Sequence, residues 1–463
     1  MLLFNPIRST QESVLKFHSR KGADKYIMSE SSGNKVKCDL YIHNIASLVT
    51  CANPSKKPKA GAELLDAGEI KNGAVLTAGD KIIKAGPAAE IEKYISDNKI
   101  SPARRIDAGG KTVMPGFVDP HTHMVFSGSR ENEFAMRVEG KSYIEILNAG
   151  GGILNTLKSM RTISEDDLYR ESGERVLTAF MHGTTSMEIK SGYGLDFDAE
   201  IKTLKVCRRL TQESPCTIEA TFLGAHAIPP DYKNRRREYI DLMINKVLPY
   251  VAEHKLARFN DVFVEEGVFT AEEGFEILEA GKKLGLIPKV HADEITCCGG
   301  AELAAKTGAI SADHLLMASE RGLEMMKKSG VIAVALPGTL YSLLSKNYLD
   351  FERLMKIGVA AALATDANPG SNMCINMQTA INQAVCLMRV PPAAALNMAT
   401  INAAHAIGIA DRTGSIEEGK QADLILIDGA SYNYIAYSYG VNHVKYVIKN
   451  GVPYQVESAL RKL

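Results

Sequence analysis

The sequence predicts an α/β protein: a (β/α)8 barrel with a small β-sandwich domain assembled from both ends of the chain. Three observations carry that reading. From residue 114 to about 408, apolar strands alternate with amphipathic helices, as in a parallel sheet; short strands bounded by Gly, Asn, Asp or Pro flank that region on both sides; and polar side chains recur where the barrel strands end.

Residues 1–37 show no apolar periodicity and are expected to form a flexible N-terminal extension. Arg8, Lys16, Arg20, Lys21 and Lys25 make it basic enough to raise an organelle-targeting role, which Glu12, Asp24 and Glu30 argue against. Residues 38–113 hold the first part of the β-domain, with strands around Asp39-Leu-Tyr-Ile-His, Gly73-Ala-Val-Leu, Lys81-Ile-Ile-Lys and Arg105-Ile-Asp-Ala. Residues 412–463 hold the second, around Ala422-Asp-Leu-Ile-Leu-Ile-Asp and His443-Val-Lys-Tyr-Val-Ile-Lys. Neither set covers its own apolar face alone, so the two are expected to pair, with the barrel of residues 114–411 inserted between them.

Barrel strands are expected at 116–123, 184–189, 217–223, 261–265, 287–291, 309–314, 331–336 and 359–366, with helices at 168–181, 199–212, 271–284 and 319–328 among the intervening stretches. A doubly wound open sheet is the alternative, but no strand here is followed by G-x-G-x-x-G.

Composition narrows the function. With Lys+Arg 54 against Asp+Glu 54 the formal charge is zero, which argues against a broad nucleic-acid or anionic-membrane surface and for a small-molecule substrate. Eight scattered cysteines without C-x-x-C suit neither a zinc ribbon nor a disulfide framework, so a cytoplasmic home is expected. No apolar run is long enough to span a bilayer.

The chemistry is expected at the C-terminal mouth of the barrel. Five of the 11 histidines fall at strand ends: His121 and His123 after the first strand, His226 after the third, His291 after the fifth and His314 after the sixth. Residues two apart on a strand share a face, so His121 and His123 can reach one ion. Joined by a His five strands in and an Asp eight strands in, Asp366, they suit one borderline cation such as Zn²⁺ or Fe²⁺ with a position left open for water. Such an ion lowers the pKa of a bound water from about 15.7 towards roughly 7, which points to a hydrolase.

The pieces Pro115-Gly-Phe-Val-Asp-Pro-His-Thr-His, Arg130 with Glu133-Phe-Ala-Met, Ala149-Gly-Gly-Gly-Ile, Lys190-Ser-Gly-Tyr-Gly-Leu, Gly224-Ala-His, Val290-His-Ala-Asp-Glu, Ala312-Asp-His-Leu and Thr365-Asp-Ala-Asn-Pro-Gly together resemble the imidazolonepropionase family of the amidohydrolase superfamily. The resemblance covers all but the first 35 or so residues. It implies hydrolysis of the cyclic amide 4-imidazolone-5-propanoate to N-formimidoyl-L-glutamate, in histidine degradation, with one Zn or Fe ion per chain and a homodimer. By position it implies His121, His123, His291 and Asp366 as metal ligands, and Arg130, Tyr143, Tyr193 and His226 as substrate contacts, with Glu294, Asn368, Gly370 and Ser371 in the pocket.

The residue chemistry is compatible with those roles. Arg130 offers a rigid fork for the substrate carboxylate, and Tyr193 sits in Gly-Tyr-Gly, a permissive backbone close to a ligand. Glu294 is expected to carry a proton from the attacking water to the departing ring nitrogen, with His314 and Asp366 as contenders for part of that transfer. Binuclear superfamily members bridge two ions with a modified lysine at the end of strand four, where this chain has Glu265-Glu266-Gly267. Lys190 is therefore read as fixing its loop, and one metal is expected. The competing readings are a deaminase of the same superfamily acting on a purine or pyrimidine base, and a non-catalytic barrel.

Overall fold

A computed structural model describes residues 38–456 except 142–144 and 146–150, so the N-terminal extension and Tyr143 lie outside the described residues. The chain opens with β1 (Leu40–Val49), β2 (Glu69–Ala78), β3 (Lys81–Pro87) and β4 (Arg104–Pro115). The barrel strands follow: β5 (Phe117–Asp119), β6 (Thr184–Lys190), β7 (Thr217–Ala225), β8 (Phe259–Val264), β9 (Ile287–Ala292), β10 (Ser311–His314), β11 (Ile332–Ala335) and β12 (Ala361–Leu363). The chain then returns to the first sheet with β13 (Leu424–Ile427), β14 (Val444–Lys449) and β15 (Val452–Gln455).

The small sheet runs β15-β14-β13-β4-β1-β2-β3. Its two halves join where Thr112–Pro115 of β4 pairs antiparallel with β13, so the chain ends complete each other's ladder. Irregular pairing between Ile42 and Ile45 lets β1 bend, with Asn44 in the left-handed region at φ 55°. The sheet curls until the Ile82 amide of β3 reaches the carbonyl of Lys420, just before β13. Leu40, Ile42, Val75, Ile82, Leu424 and Ile448 thereby share one apolar cluster. Alternation along the strands supplies this inner face, and neither half could enclose it alone.

The barrel strands stand in sequential parallel order from β5 to β12. Most of their residues are buried, which is why they read as apolar runs in the sequence. Helices pack outside. Ser164 caps the helix Glu165–Met181, Asp196 caps Phe197–Glu213, Ser319 caps Glu320–Ser329, and Thr270 with Glu273 forms a reciprocal capping box at Ala271–Lys283. The first of these begins earlier than expected because its opening turn, Glu165-Asp166-Asp167, is acidic and shows no apolar periodicity.

The first and last barrel strands are shorter than expected, since the chain leaves regular pairing to bring side chains into the mouth. The seam between them is closed by a bridge between Thr122 and Ala367, by the Asp366 amide donating to the His121 carbonyl (3.0 Å) and by the His123 amide donating to the Ala367 carbonyl (2.9 Å). Deeper in, the Asp119 carboxylate accepts from the Thr365 amide (3.1 Å) and hydroxyl (2.6 Å). Burial raises Asp119 to about 7. No helix among the described residues is long and apolar enough to cross a membrane.

Gly116 lies between β4 and β5, where a Cβ would stand 2.3 Å from Thr185 Cγ2 and 2.4 Å from its Oγ1. Gly116→Ala should therefore destabilise the protein by about 1–3 kcal/mol, as overpacking does. Its urea unfolding midpoint should fall, and Thr185→Ala in the same chain should restore part of the loss. An unchanged midpoint would show that the junction yields without cost.

Candidate metal centre and substrate pocket

The strand ends bring His121, His123 and His291 together so that one ligating atom from each lies within 4.8 Å of the others; His121, His314 and Asp366 form a second such group. His121 Nδ1 donates to Asp313 Oδ2 (2.7 Å), which leaves Nε2 turned to the centre. His291 Nδ1 lies 3.0 Å from Asp261 Oδ2, without hydrogen-bond alignment. Asp366 Oδ1 stands 3.4 Å from His121 Nε2 and 3.7 Å from His123 Nε2, while its Oδ2 accepts from the Thr339 hydroxyl. His314 (φ 75°) and Asp366 (φ 52°) both hold left-handed backbone, a strain retained where side chains must turn inward.

His121 Nε2, His123 Nδ1 and His291 Nε2 are buried without a hydrogen-bond partner among the described residues. Burial, with the neighbouring cationic groups, holds all three imidazoles well below their ordinary pKa, so they are neutral, the form that ligates a metal. Burial likewise raises Asp366 to about 7. Neutral imidazole nitrogens left short of partners among the described residues, with a buried carboxylate beside them, fit a divalent cation, which supplies the missing partner.

A cavity of about 460 Å³ opens on this cluster. Arg130, Tyr193, His226, Glu294, Asn368, Gly370 and Ser371, all named from the sequence, line it. His226 stacks on His123 with ring centroids 5.3 Å apart and donates through Nδ1 to the Gly192 carbonyl (2.9 Å); burial lowers it to about 4. Asn368 shapes its loop, accepting from the amides of Gly370 and Ser371 (2.8 Å each) and donating to the Asp366 carbonyl (2.7 Å).

Arg130 does not stand free. Its Nε and Nη2 both donate to Glu133 Oε2, at 2.9 and 2.8 Å, and a Cβ on Gly370 would come within 2.1 Å of its Nη1. Glu133 thus aims the guanidinium, and Gly370 makes room for it. Arg137, absent from the sequence-based set, also lines the cavity and donates to the carbonyls of Ser342 (3.1 Å) and Gly370 (3.4 Å). Arg130 precedes the helix Glu131–Val138 and Arg137 lies in its last turn, so the available signal was a second arginine two turns on from the first.

The Gly-Tyr-Gly loop has an anchor that sequence reasoning missed. The buried Glu200 carboxylate accepts from the amides of Gly192 (3.0 Å), Gly194 (2.9 Å) and Leu195 (2.9 Å). Gly192 has φ 105°, and a Cβ there would meet the Leu223 carbonyl oxygen at 2.7 Å, so only glycine serves. Lys190 requires a correction: it does not fix this loop. It is fully buried, with Nζ 2.8 Å from Glu188 Oε1, 2.7 Å from Asp261 Oδ2 and 3.3 Å from Asp313 Oδ2. A lysine ending an all-buried strand has no solvent to reach and must pair inside.

The profile of the amidohydrolase family matches residues 112–454, and the chain belongs to that family. Two relatives then narrow the branch. The imidazolonepropionase of Geobacillus thermodenitrificans strain NG80-2 is 50% identical, and that of Geobacillus kaustophilus strain HTA426 49% identical, each over 412 residues that cover 89% of this chain and 97% of the relative. Within the amidohydrolases the chain falls among the imidazolonepropionases. The fold is also that of an adenosine deaminase from Xanthomonas campestris with bound zinc, at TM-score 0.65 and 18% identity, over 92% of this chain and 97% of that one.

Glu200→Ala leaves three buried amides without an acceptor, at about 1–3 kcal/mol for each unsatisfied group. The variant should melt earlier, and amide exchange at Gly192, Gly194 and Leu195 should accelerate ahead of the barrel strands. Exchange unchanged at those three amides would show that the loop keeps its shape without the carboxylate.

Proposed function

We propose that the chain hydrolyses the cyclic amide of 4-imidazolone-5-propanoate to N-formimidoyl-L-glutamate, a step of histidine degradation. The observation that carries this reading is that one cavity joins an arginine aimed by Glu133 to a cluster of buried, partner-poor histidines. A substrate with a carboxylate tail and a cyclic amide matches both ends. Near-50% identity over almost the whole length of imidazolonepropionases supports the same conclusion.

His121, His123, His291 and Asp366 would hold one divalent ion, zinc or iron, which when bound polarises a carbonyl and acidifies water. The residues do the rest. Arg130 receives the carboxylate on the N–H groups that Glu133 leaves open, and Tyr193 and His226 flank the ring, with His226 Nε2 left as an acceptor because Nδ1 donates to Gly192. Water adds to the ring carbonyl carbon, the ring C–N bond breaks, and the departing nitrogen takes a proton. Glu294 is suited to deliver it, since burial, reinforced by Asp366 and Glu265, raises its carboxyl to about 8 and keeps it protonated near neutrality. His314, lowered by burial to about 4 and with Nδ1 3.6 Å from Glu294 Oε1, and Asp366 are placed to take up the proton that the attacking water loses.

Zinc in a deaminase at 18% identity bears on the fold alone, so the deaminase reading gains nothing from it. The cytoplasmic location accords with eight free cysteines, and the homodimer rests on family resemblance. The deciding experiment is incubation with freshly prepared 4-imidazolone-5-propanoate, following loss of its ultraviolet absorbance. Turnover is expected. None with metal-loaded protein overturns the proposal, and ammonia released from a purine or pyrimidine base would favour the deaminase.

Arg130→Lys should raise KM far more than it lowers kcat, because an ammonium cannot reproduce the planar fork; the loss should be about 1.5–3 kcal/mol in kcat/KM. Unchanged constants would place Arg130 outside the binding step. Glu294→Gln should keep the metal and lower kcat by about 10²–10⁴-fold, since the amide cannot carry the proton. A near-normal rate would pass the role to His314 or Asp366, and loss of metal would make Glu294 a ligand.

A further inference from the structure

Beneath the histidine cluster, Asp261, Asp313 and His291 offer three ligating atoms within 4.8 Å of one another, all buried, the arrangement a cation would use. Asp261 Oδ1 is held by the His291 amide (3.2 Å) and Asp313 Oδ1 by the Ser311 hydroxyl (2.8 Å). The Oδ2 atoms of both carboxylates are turned to the Lys190 ammonium, at 2.7 and 3.3 Å. His291 Nδ1 is buried, lacks a hydrogen-bond partner among the described residues and lies 3.0 Å from the same Asp261 Oδ2. The second lysine of the network, Lys289, is bound elsewhere, to Glu188 Oε2 (2.7 Å) and to the carbonyls of Pro120 and Ala406.

We infer that Lys190 is a positioning residue whose ammonium occupies a second cation position beneath the histidine cluster that would hold the catalytic ion, and so restricts the centre to one metal. The charge accounting requires a cation there. Two carboxylates packed beside histidines in a dry interior must be neutralised by a metal, a proton or an ammonium. Lys190 brings positive charge on its own chain, with three N–H donors for the carboxylates of Asp261, Asp313 and Glu188, and Lys289 supplies a second ammonium to Glu188. The same Oδ2 atoms face Nδ1 of His121 and His291, so the lysine holds in place the groups that orient two proposed ligands. This inference rests on the metal-site reading above.

The test is zinc stoichiometry. Purified wild type, Lys190→Ala and Lys190→Ala/Asp261→Asn are each equilibrated with Zn²⁺ alone, desalted, and analysed for metal per folded chain, with thermal melts recorded with and without added Zn²⁺. Lys190→Ala should hold about one Zn²⁺ more than wild type and gain more in melting temperature from Zn²⁺ than wild type does. The double variant, which lacks one carboxylate of the vacated position, should lose that extra ion. Folding of Lys190→Ala only in the presence of Zn²⁺ would be the same result. Stoichiometry equal to wild type, or failure to fold with Zn²⁺ as well as without, overturns the inference. A wild type that binds no Zn²⁺ or Fe²⁺ would instead defeat the metal-site reading, whatever the variants do.

Discussion

Closure of the barrel and assembly of the centre are one event. The first and last strands meet through Asp119 with Thr365, the bridge between Thr122 and Ala367, and the amide of Asp366 on the carbonyl of His121. Those segments carry His121, His123 and Asp366. If the seam opened, three of the four proposed ligands would lose their mutual geometry together. The left-handed backbone of Asp366 persists because hydrogen bonds on both sides of it over-determine the turn.

Under the mouth lies a layer of buried charge: Glu188, Asp261 and Asp313 against Lys190 and Lys289. Such a layer is costly to dehydrate, and apolar side chains of equal volume would hold a barrel at least as well. Its place in the fold is explained by the histidines it touches, His121 through Asp313 and His291 through Asp261. Asp313 selects the protonated nitrogen of His121, and the lysines keep the aspartates from repelling one another.

Strands and helices were legible because a parallel barrel buries both faces of its strands and leaves apolar runs. The H-x-H spacing and the position of His291, His314 and Asp366 at strand ends were enough to bring these residues to one mouth. What stayed hidden depends on pairing across strands. Asp261 follows Asn260 and Asp313 precedes His314, on strands far apart in the sequence, and only the fold shows that they share a lysine. The role of Lys190 is hidden for the same reason: its partners Glu188, Asp261 and Asp313 come from three strands, and its side chain pairs inside the barrel instead of with its loop. Arg130 was found, but not that Glu133, three residues on, already holds part of its fork.

The pairing of β4 with β13 also bears on how the protein is made. Ribosomal synthesis releases Pro115 roughly three hundred residues before Leu424, and at about 5–20 residues per second that interval lasts on the order of 15–60 s. Throughout it, the Thr112–Pro115 edge of β4 stands unpaired and open to other strands. The joint between the two halves of the small sheet cannot form until β13 has been made, with β14 and β15 added after it, and the newborn chain is exposed to aggregation and to chaperone capture while it waits.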